Sequence, residues 1–242
     1  MQLKRQNKRI GMLLPSSNTT QEYEFVKMLP DHFALHCARL SLSRIDPDST
    51  VKILAELDVE SRKLADADVD VVVLAATAPS TRMGKGYDRE VCARIEKASG
   101  KPATTAATAM LEAFDVLNIK KIALAAPWAE ATNHQVENFV QAYGIDVVQQ
   151  AALGYVQNSD VGLLPAHTAY DLGMQVNHPD ADAIFLACGN WLTVDVVEQL
   201  EQDSGKPVLT TNGCAWWGAL RMLDCDSNMT GFGSLFSRYL SA

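Results

Sequence analysis

The sequence predicts an α/β protein composed of two similar Rossmann-like halves, each built on a parallel sheet and related to the other by a pseudo-two-fold axis. Short apolar runs alternate with amphipathic segments along the chain, which is the pattern of parallel strands joined by right-handed helical crossovers. Landmarks of the first half also recur after 112 residues, since Pro15 recurs as Pro127 and Asp70 as Asp182. The active site is expected in the cleft between the halves, because domain interfaces are common positions for pockets.

The first half is expected to begin with a buried strand that ends at Pro15 and a helix that starts near Gln21. Apolar residues at helical spacing predict one long helix over 49–67, and the valine-rich run from Val69 predicts another buried strand. Residues 77–86 are rich in turn-forming residues and are expected to form a loop. The remaining elements are strands at 33–40 and 103–105 and helices at 88–98 and 107–117.

The second half is expected to repeat this order. Its elements are strands at 121–127, 145–149, 182–188 and 208–211, a loop around 158–162, and helices at 133–143, 166–176, 194–203 and 215–223. A Ser-Gly-Lys-Pro segment ends one predicted helix in each half, as glycine and proline commonly do. We predict that residues 1–104 together with 208–242 form the first half and that residues 105–207 form the second.

The composition indicates a globular, acidic chain. Its 242 residues are 48% hydrophobic, which is enough for a packed core, and carry a formal net charge of -8. This charge, without runs of like sign, argues against nucleic acid and anionic membrane surfaces as partners. Because no apolar segment reaches roughly 18 residues and residues 1–9 lack the apolar core of a signal peptide, a cytoplasmic location is expected.

The cysteines and histidines indicate neither a disulfide framework nor a metal centre. The five cysteines are an odd number without Cys-x-x-Cys spacing, and the five histidines lack the spacing of metal ligands. The Ser-Gly-Lys-Pro segments follow predicted helices instead of strands, so they are not phosphate-binding loops. No metal and no cofactor are therefore expected.

The apolar run 182–187 ends abruptly in Cys188, Gly189 and Asn190. We expect a buried strand that delivers Cys188 to the carboxyl edge of the sheet, where open α/β sheets place their chemistry. A thiol pKa of about 8.5 is readily lowered by backbone donors, and Gly189 lets N–H groups approach an oxyanion. On the residues alone, Cys188 is either a catalytic thiol or a small buried hydrophobic side chain.

The residue that lies 112 positions before Cys188 is Ala76, followed by Thr77 and Ala78. We predict that Ala76 and Cys188 face one another across the cleft. Acid and base groups on opposite faces of one carbon can remove and return a proton, but a methyl group can neither donate, accept nor attack. Racemisation by a pair of cysteines is therefore excluded for this sequence.

The loop Ser16 to Thr20 connects the first strand to the first helix and contains Asn18. Two interpretations are equally consistent with its residues. The loop caps the helix, or it cradles a substrate carboxylate with hydroxyl, amide and backbone donors at a helix N-terminus.

Together these motifs resemble the aspartate/glutamate racemase superfamily, specifically its maleate cis-trans isomerase and arylmalonate decarboxylase branch, over residues 9–240. The resemblance implies that Asn18 holds a substrate carboxylate. It also implies that Cys188 corresponds to the second cysteine of the isomerases and acts with oxyanion donors at Gly189 and Asn190. The other positions that match substrate-binding residues of the branch are Ala76, Thr77, Ala78, Trp128 and Asn158.

Two departures from the branch bear on the reaction. Isomerases are understood to use the first cysteine as nucleophile and the second as proton donor, and Ala76 replaces the first. Decarboxylases have glycine followed by threonine there and keep only the second cysteine, a pattern that Ala76 and Thr77 approach. Trp128 replaces a tyrosine whose phenol binds the substrate. A natural loss or an engineered cysteine-to-alanine change would both produce Ala76.

We therefore predict a cofactor-independent cysteine enzyme that acts on a small dicarboxylate or related carbon acid, with Cys188 as the proton donor in a decarboxylation. The alternatives are a maleate cis-trans isomerase without its first cysteine, an ectoine-utilisation-type family member, and a non-catalytic carboxylate-binding module. A small carboxylate is the expected partner, and a homo-oligomer is compatible with the sequence.

Overall fold

The computed structural model describes residues 7–225 and 227–240 and contains two four-stranded parallel sheets. The strands are β1 (Lys8–Pro15), β2 (Phe33–Leu40), β3 (Val71–Leu74), β4 (Ala103–Thr105), β5 (Lys121–Trp128), β6 (Asp146–Tyr155), β7 (Ala183–Leu186) and β8 (Val208–Thr210). The first sheet has the order β2-β1-β3-β4 and the second the order β6-β5-β7-β8. This repeat confirms the predicted α/β fold with two similar parallel-sheet halves.

Helices cover both faces of the sheets, so the inner strands β3 and β7 are buried along their whole length. The helices are α1 (Gln21–Lys27), α2 (Pro47–Ala55), α3 (Leu57–Asp66), α4 (Thr77–Thr81), α5 (Tyr87–Ser99), α6 (Ala106–Val116), α7 (Glu130–Gln141), α8 (Asn158–Val161), α9 (His167–Val176), α10 (Val197–Ser204), α11 (Thr211–Met222) and α12 (Ser234–Arg238). Burial on both faces explains why the strands read as continuous apolar runs in the sequence.

The long helix predicted over 49–67 is instead two helices, α2 and α3, which meet at Glu56. The Glu56 carboxylate accepts hydrogen bonds from the backbone N–H and the hydroxyl of Ser41, both at 2.7 Å. These bonds tie the junction to the loop after β2. Hydrophobic periodicity continues across such a break and does not reveal it.

The predicted loops after β3 and β6 each contain a short helix. In the first, α4, the hydroxyls of Ser80 and Thr81 donate to the Thr77 carbonyl at 3.1 and 3.0 Å. The second is α8, at 158–161. Helix α11 also starts four residues earlier than predicted, because the Thr210 hydroxyl accepts from the Gly213 N–H at 2.8 Å and caps it. Helix α12 was not predicted.

The predicted division of the chain needs one correction at its second boundary. Residues 208–210 were assigned to the first half, but β8 pairs with β7 in the second sheet. The following helix, α11, does contact β3 of the first sheet. In the reverse direction, Phe114 of α6 stacks edge-on against Phe185 of β7, with ring centroids 5.6 Å apart. The helix that follows the last strand of each sheet, α6 after β4 and α11 after β8, therefore packs against the other sheet.

One continuous hydrophobic core joins the two sheets, with Ile10 of β1 and Ile184 of β7 among its buried members. Helices α6 and α11 approach each other closely, since a Cβ atom built on Gly218 would be 2.8 Å from the Cβ of Ala109. Within the described residues, no helix is both long and apolar enough to cross a membrane.

Candidate active site

The two strand ends singled out by the sequence meet at one cavity. Ala76 follows the end of β3 by two residues, and Cys188 follows the end of β7 by two residues. The two residues, 112 positions apart in the sequence, therefore occupy equivalent positions in the two sheets. Both side chains line the same cavity, which is partly open to solvent. The predicted juxtaposition of Ala76 and Cys188 is thus observed.

All nine residues expected at the site line this cavity. They are Asn18, Ala76, Thr77, Ala78, Trp128, Asn158, Cys188, Gly189 and Asn190. The other lining residues are Pro15, Leu42, Ile45, Ala75 and Pro79. None of the fourteen carries a charged side chain at neutral pH, since Cys188 is protonated there as described below, so the cavity offers neutral hydrogen-bond donors and apolar walls.

Leu42 and Ile45 were missed because they lie in the loop after β2, which has no motif. This loop crosses to the second half, where the Ile45 N–H donates to the Val156 carbonyl at 2.9 Å and the Asn158 N–H donates to the Ser43 carbonyl at 3.1 Å. The contact brings two apolar side chains over the cavity. A pairing between segments more than 100 residues apart has no local signal in the sequence.

Cys188 has an unusual backbone and a strongly perturbed thiol. Its φ angle is 149°, a region that residues other than glycine rarely adopt. The backbone N–H groups of Asn190 and Trp191 hydrogen-bond to the thiol and favour the thiolate. Burial outweighs them and, together with the negative charge of Glu24, raises the pKa of Cys188 to about 12. The expected backbone donors are present, but the thiol stays protonated at neutral pH.

All five cysteines lie within the described residues, and among them Cys188 alone lines the cavity. Cys214 is fully buried in α11, and burial raises its pKa strongly. The pKa values of Cys37 and Cys92 are also raised, mainly by burial. This arrangement supports the choice of Cys188 over Cys214.

Thr77 begins α4 directly after Ala76 and is buried beside Cys188. Its hydroxyl oxygen lies 2.8 Å from the hydroxyl oxygen of Thr211, and the Thr211 oxygen accepts from the Cys188 N–H at 3.1 Å. Ala76 contributes only a methyl group to the cavity. The half of the site that lacks a thiol therefore supplies a hydroxyl at the adjoining position.

Asn18 both accepts hydrogen bonds from the backbone at the start of α1 and lines the cavity, so the two interpretations of its loop are compatible. Its Oδ1 accepts from the backbone N–H groups of Thr20 at 2.9 Å and Gln21 at 2.8 Å. Its Nδ2 donates to the Gln21 side-chain oxygen at 2.8 Å. An amide nitrogen carries two hydrogens, which leaves the second for a ligand.

The side chains of Asn158 and Asn190 hold the walls of the cavity together. Asn190 Nδ2 donates to the Asn158 carbonyl at 2.6 Å, and Asn190 Oδ1 accepts from the Thr19 N–H at 2.8 Å. Asn158 Nδ2 donates to the Ser17 hydroxyl at 2.8 Å. These bonds join the Asn18 loop of the first half to two loops of the second.

Trp128, at the end of β5, turns its only hydrogen-bond donor away from the cavity. Its indole N–H donates to Asn133 Oδ1 at 2.7 Å, and the whole side chain is buried. The indole therefore adds an apolar surface to the lining. This geometry agrees with the expectation that Trp128, unlike the tyrosine that it replaces, offers the substrate no hydrogen bond.

A buried polar network beneath the cavity was not predicted. The Glu24 carboxylate accepts from the N–H groups of Thr193 at 2.6 Å and Val194 at 2.8 Å, and from Asn212 Nδ2 at 2.5 Å. Burial raises the pKa of Glu24 to about 7, although these three hydrogen bonds act to lower it. In the sequence Glu24 resembles a solvated carboxylate in the first turns of a helix, so no local signal identifies it.

Gln21 and Asn212 extend this network to both strand ends. Gln21 Nε2 donates to the Ala75 carbonyl at 2.6 Å and to Asn212 Oδ1 at 2.9 Å. Asn212 Nδ2 donates to the Gly189 carbonyl at 3.1 Å. A side chain at 189 would displace the Gln21 amide from these hydrogen bonds, since a Cβ atom there would lie 2.5 Å from Gln21 Nε2.

A family model described as arylmalonate decarboxylase matches residues 10–236. The chain belongs to the arylmalonate decarboxylase family. It is 31% identical to the maleate isomerase of Pseudomonas putida over 95% of this chain and 97% of that protein. It is 25% identical to the arylmalonate decarboxylase of Bordetella bronchiseptica over 94% and 95% of the two chains. The relatives are enzymes of isomerase and decarboxylase type, which confirms the predicted branch.

Solved structures support the same placement of this arylmalonate decarboxylase family member. The crystal structure of the maleate isomerase Iso from Pseudomonas putida S16 superposes with a TM-score of 0.91 at 25% identity, covering 96% of this chain and 98% of that one. Unliganded arylmalonate decarboxylase superposes with a TM-score of 0.84 at 24% identity, covering 96% of this chain and all of that one. The second likeness shows the shared fold. Among the described residues, no group of three or more acidic, histidine or cysteine side chains is placed to hold a metal ion.

Proposed function

We propose that this protein decarboxylates a small malonate-type dicarboxylate without a cofactor and that Cys188 donates the proton that replaces the departing carboxylate. The observation that carries the proposal is one buried, protonated thiol that shares a cavity with an alanine at the equivalent strand end. A protonated thiol serves as a general acid. Isomerisation through a covalent adduct needs a nucleophile, and Ala76 does not supply one.

The retained carboxylate would bind to neutral donors, namely the Thr77 hydroxyl, Asn18 Nδ2 and the free N–H groups at the start of α4. Loss of carbon dioxide breaks the bond between the α-carbon and the departing carboxylate, and the electron pair passes into an enediolate. The S–H bond of Cys188 then breaks as its proton bonds to the α-carbon. Water returns a proton to the thiolate. Preorganised donors stabilise the enediolate because they need not reorient during the reaction.

The apolar lining favours a substrate with an apolar substituent on the α-carbon. Leu42, Ile45 and the indole of Trp128 form this surface, and Trp128 offers it no hydrogen bond. A carboxylate in the same place would lose its hydration without compensation. An aryl or alkyl group there would instead gain from removal of its surface from water.

A second candidate is maleate isomerisation by a protein whose first cysteine is replaced. The observation that favours it is the 31% identity to a maleate isomerase, which exceeds the identity to the decarboxylase. The alanine at residue 76 carries more weight than this difference in identity. Overall identity reflects ancestry, whereas the nucleophile that is missing at residue 76 takes part in the isomerisation itself. The cytoplasmic location and a homo-oligomer remain predictions.

A substrate panel in deuterated water tests the proposal. Phenylmalonate, methylphenylmalonate, methylmalonate and maleate are incubated with the protein before and after treatment with a chelator. We expect carbon dioxide release from a malonate, one deuterium at the α-carbon of the product, and no effect of the chelator. Conversion of maleate to fumarate without malonate turnover would favour the second candidate. Ligand-induced thermal stabilisation without any product would instead indicate a carboxylate-binding module.

A further inference from the structure

Thr211 lies outside the cavity and yet contacts both sides of it. Its hydroxyl oxygen is 3.1 Å from the backbone nitrogen of Cys188 and 2.8 Å from the hydroxyl oxygen of Thr77. Thr211 is the first residue of α11 and is 1% exposed. One side chain on a third element thus joins the strand end that carries the thiol to the strand end that carries Thr77.

The hydrogen-bond partners of the Thr211 hydroxyl determine which of the two threonines is the donor. The Thr211 oxygen already accepts the Cys188 N–H, and within the described chain Thr77 is its one other hydrogen-bond partner. If Thr77 donated, the buried Thr211 hydrogen would have no acceptor, which is costly. Thr211 therefore donates to Thr77. The hydrogen of the Thr77 hydroxyl is then free to point into the cavity that Thr77 lines.

The same hydroxyl also supports the backbone at the thiol. Cys188 has a φ angle of 149°, a strained conformation that persists only where its surroundings impose it. Its N–H is buried and finds its acceptor in Thr211. Removal of that acceptor would leave an unpaired donor at the residue whose backbone places the sulfur.

We propose that Thr211 is a positioning residue with two effects. By donating to Thr77, it orients the Thr77 hydroxyl as a hydrogen-bond donor for the substrate carboxylate. By accepting from Cys188, it holds the backbone that presents the thiol. This inference rests on the proposed function, since it requires the Thr77 hydroxyl to donate a hydrogen bond to a bound carboxylate.

The test compares Thr211→Val, which removes the hydroxyl at nearly constant shape, with Thr211→Ser, which keeps it. Thr104→Val is the matched control, because Thr104 is also buried and its hydroxyl has no hydrogen-bond partner within the described residues. The readouts are the dissociation constant for phenylacetate by calorimetry and kcat for phenylmalonate. Thr211→Val should weaken phenylacetate binding about 3- to 10-fold and lower kcat about 10-fold or more. The phenylacetate affinity and kcat of Thr211→Ser should remain within about 3-fold of the wild-type values. Those of Thr104→Val should equal the wild-type values.

A double-mutant cycle with Thr77→Val separates positioning from general damage. In the Thr77→Val background no hydroxyl remains for Thr211 to orient, so Thr211→Val should cause no further loss of phenylacetate affinity. The loss in kcat should persist, because it arises at Cys188. Additive losses of affinity in the cycle would overturn the action through Thr77. Equal damage by Thr211→Val and Thr211→Ser would overturn the role of the hydroxyl.

Two further measurements keep the test decisive. If Thr211→Val does not fold, Thr211→Ala takes its place with the same expectations. If phenylacetate does not bind to the wild type and no malonate of the panel is turned over, the proposed function fails, and the amide hydrogen exchange of Cys188 then tests the remaining effect. Thr211→Val should accelerate this exchange and Thr104→Val should not. Unchanged exchange in Thr211→Val would overturn the inference.

Discussion

Burial decides what the Cys188 thiol can do at neutral pH. The side chain is 4% exposed and its pKa is raised to about 12, although the N–H groups of Asn190 and Trp191 act in the opposite direction. The thiol is therefore protonated at pH 7. It can give a proton to a carbanion, whereas a nucleophile would need the thiolate.

Cys188→Ser should preserve the fold and reduce turnover of the malonate substrate by a factor of about 100 or more, because a hydroxyl is a much weaker acid than a thiol. The matched control is Cys214→Ser, which changes a cysteine that does not line the cavity and should cost little activity. Initial rates of product formation for the two variants provide the measurement. Retained activity in Cys188→Ser together with lost activity in Cys214→Ser would reverse the site assignment.

Ala76→Cys places a second thiol where the strand end of the first half meets the cavity. A thiolate that adds to the double bond of maleate converts it into a rotatable single bond, which the methyl group of Ala76 cannot do. If the chain is an isomerase whose first cysteine has been replaced, Ala76→Cys should form fumarate from maleate, measured by proton NMR. Ala76→Ser is the control and should remain inactive on maleate. Absence of fumarate with folded Ala76→Cys would contradict the isomerase framework.

Glu24 should make stability depend on pH near neutrality. Its pKa rises from 4.5 to about 7 on folding, so its contribution is fully present below about pH 4.5 and is lost as the pH rises through 7. The free energy of unfolding of the wild type should fall relative to Glu24→Gln by up to about 3 kcal/mol between pH 5 and 8. Urea denaturation of both proteins at several pH values measures this difference. A difference that is constant with pH would show that Glu24 does not titrate in this range.

At the scale of elements, the crossing of α6 and α11 links the two halves most closely. Gly218 of α11 faces Ala109 of α6 so closely that an added Cβ would lie 2.8 Å from the alanine Cβ. A Cβ is rigidly attached to its helix, so relief requires the helices to separate. Gly173 of α9 differs, because its added Cβ would meet only the end of the flexible Leu200 side chain, at 2.5 Å.

Gly218→Ala should lower the free energy of unfolding by about 1 to 3 kcal/mol through overpacking. Alanine in a helix interior otherwise stabilises by roughly 0.5 to 1 kcal/mol, so the sign of the effect is diagnostic. Gly173→Ala is the control and should cost less, since Leu200 can change its rotamer. The measurement is the midpoint of chemical denaturation. A stabilised Gly218→Ala would show that the helix crossing is looser than the structure indicates.

At the scale of the whole molecule, the two sheets share one core instead of forming independent units. The buried cluster includes side chains of both sheets, and the helix that follows the last strand of each sheet packs against the other sheet. The cavity lies between the strand ends of both halves and needs them at a fixed distance. Binding and stability should therefore be coupled across the molecule.

We expect thermal unfolding as one cooperative transition, with tryptophan fluorescence and far-ultraviolet circular dichroism giving the same midpoint. Trp128 lies in the second sheet and Trp216 in the helix that contacts the first, so fluorescence reports on both. A ligand of the cavity should raise that single midpoint. Two separated transitions would show that the halves unfold independently.

The sequence by itself determined the repeated α/β architecture and the two strand ends that meet at the cavity. Both follow from local patterns, since buried parallel strands are written as apolar runs and their carboxyl ends meet at one edge. The 112-residue register then placed Ala76 and Cys188 at equivalent strand ends, and both line the cavity. The resemblance added Trp128 and Asn158, which local patterns alone did not identify as ligand contacts, and it assigned Asn18 to a carboxylate, one of the two interpretations that its loop allowed.

Only the tertiary structure decided the protonation of Cys188, the network around Glu24 and the position of Thr211. Each depends on groups that are far apart in the chain, such as Glu24 and Asn212 or Thr77 and Thr211. Burial and hydrogen-bond direction arise when those groups meet, and no local pattern encodes them. For the same reason, β8 was assigned to the wrong half, because a three-residue apolar strand does not specify which sheet it joins.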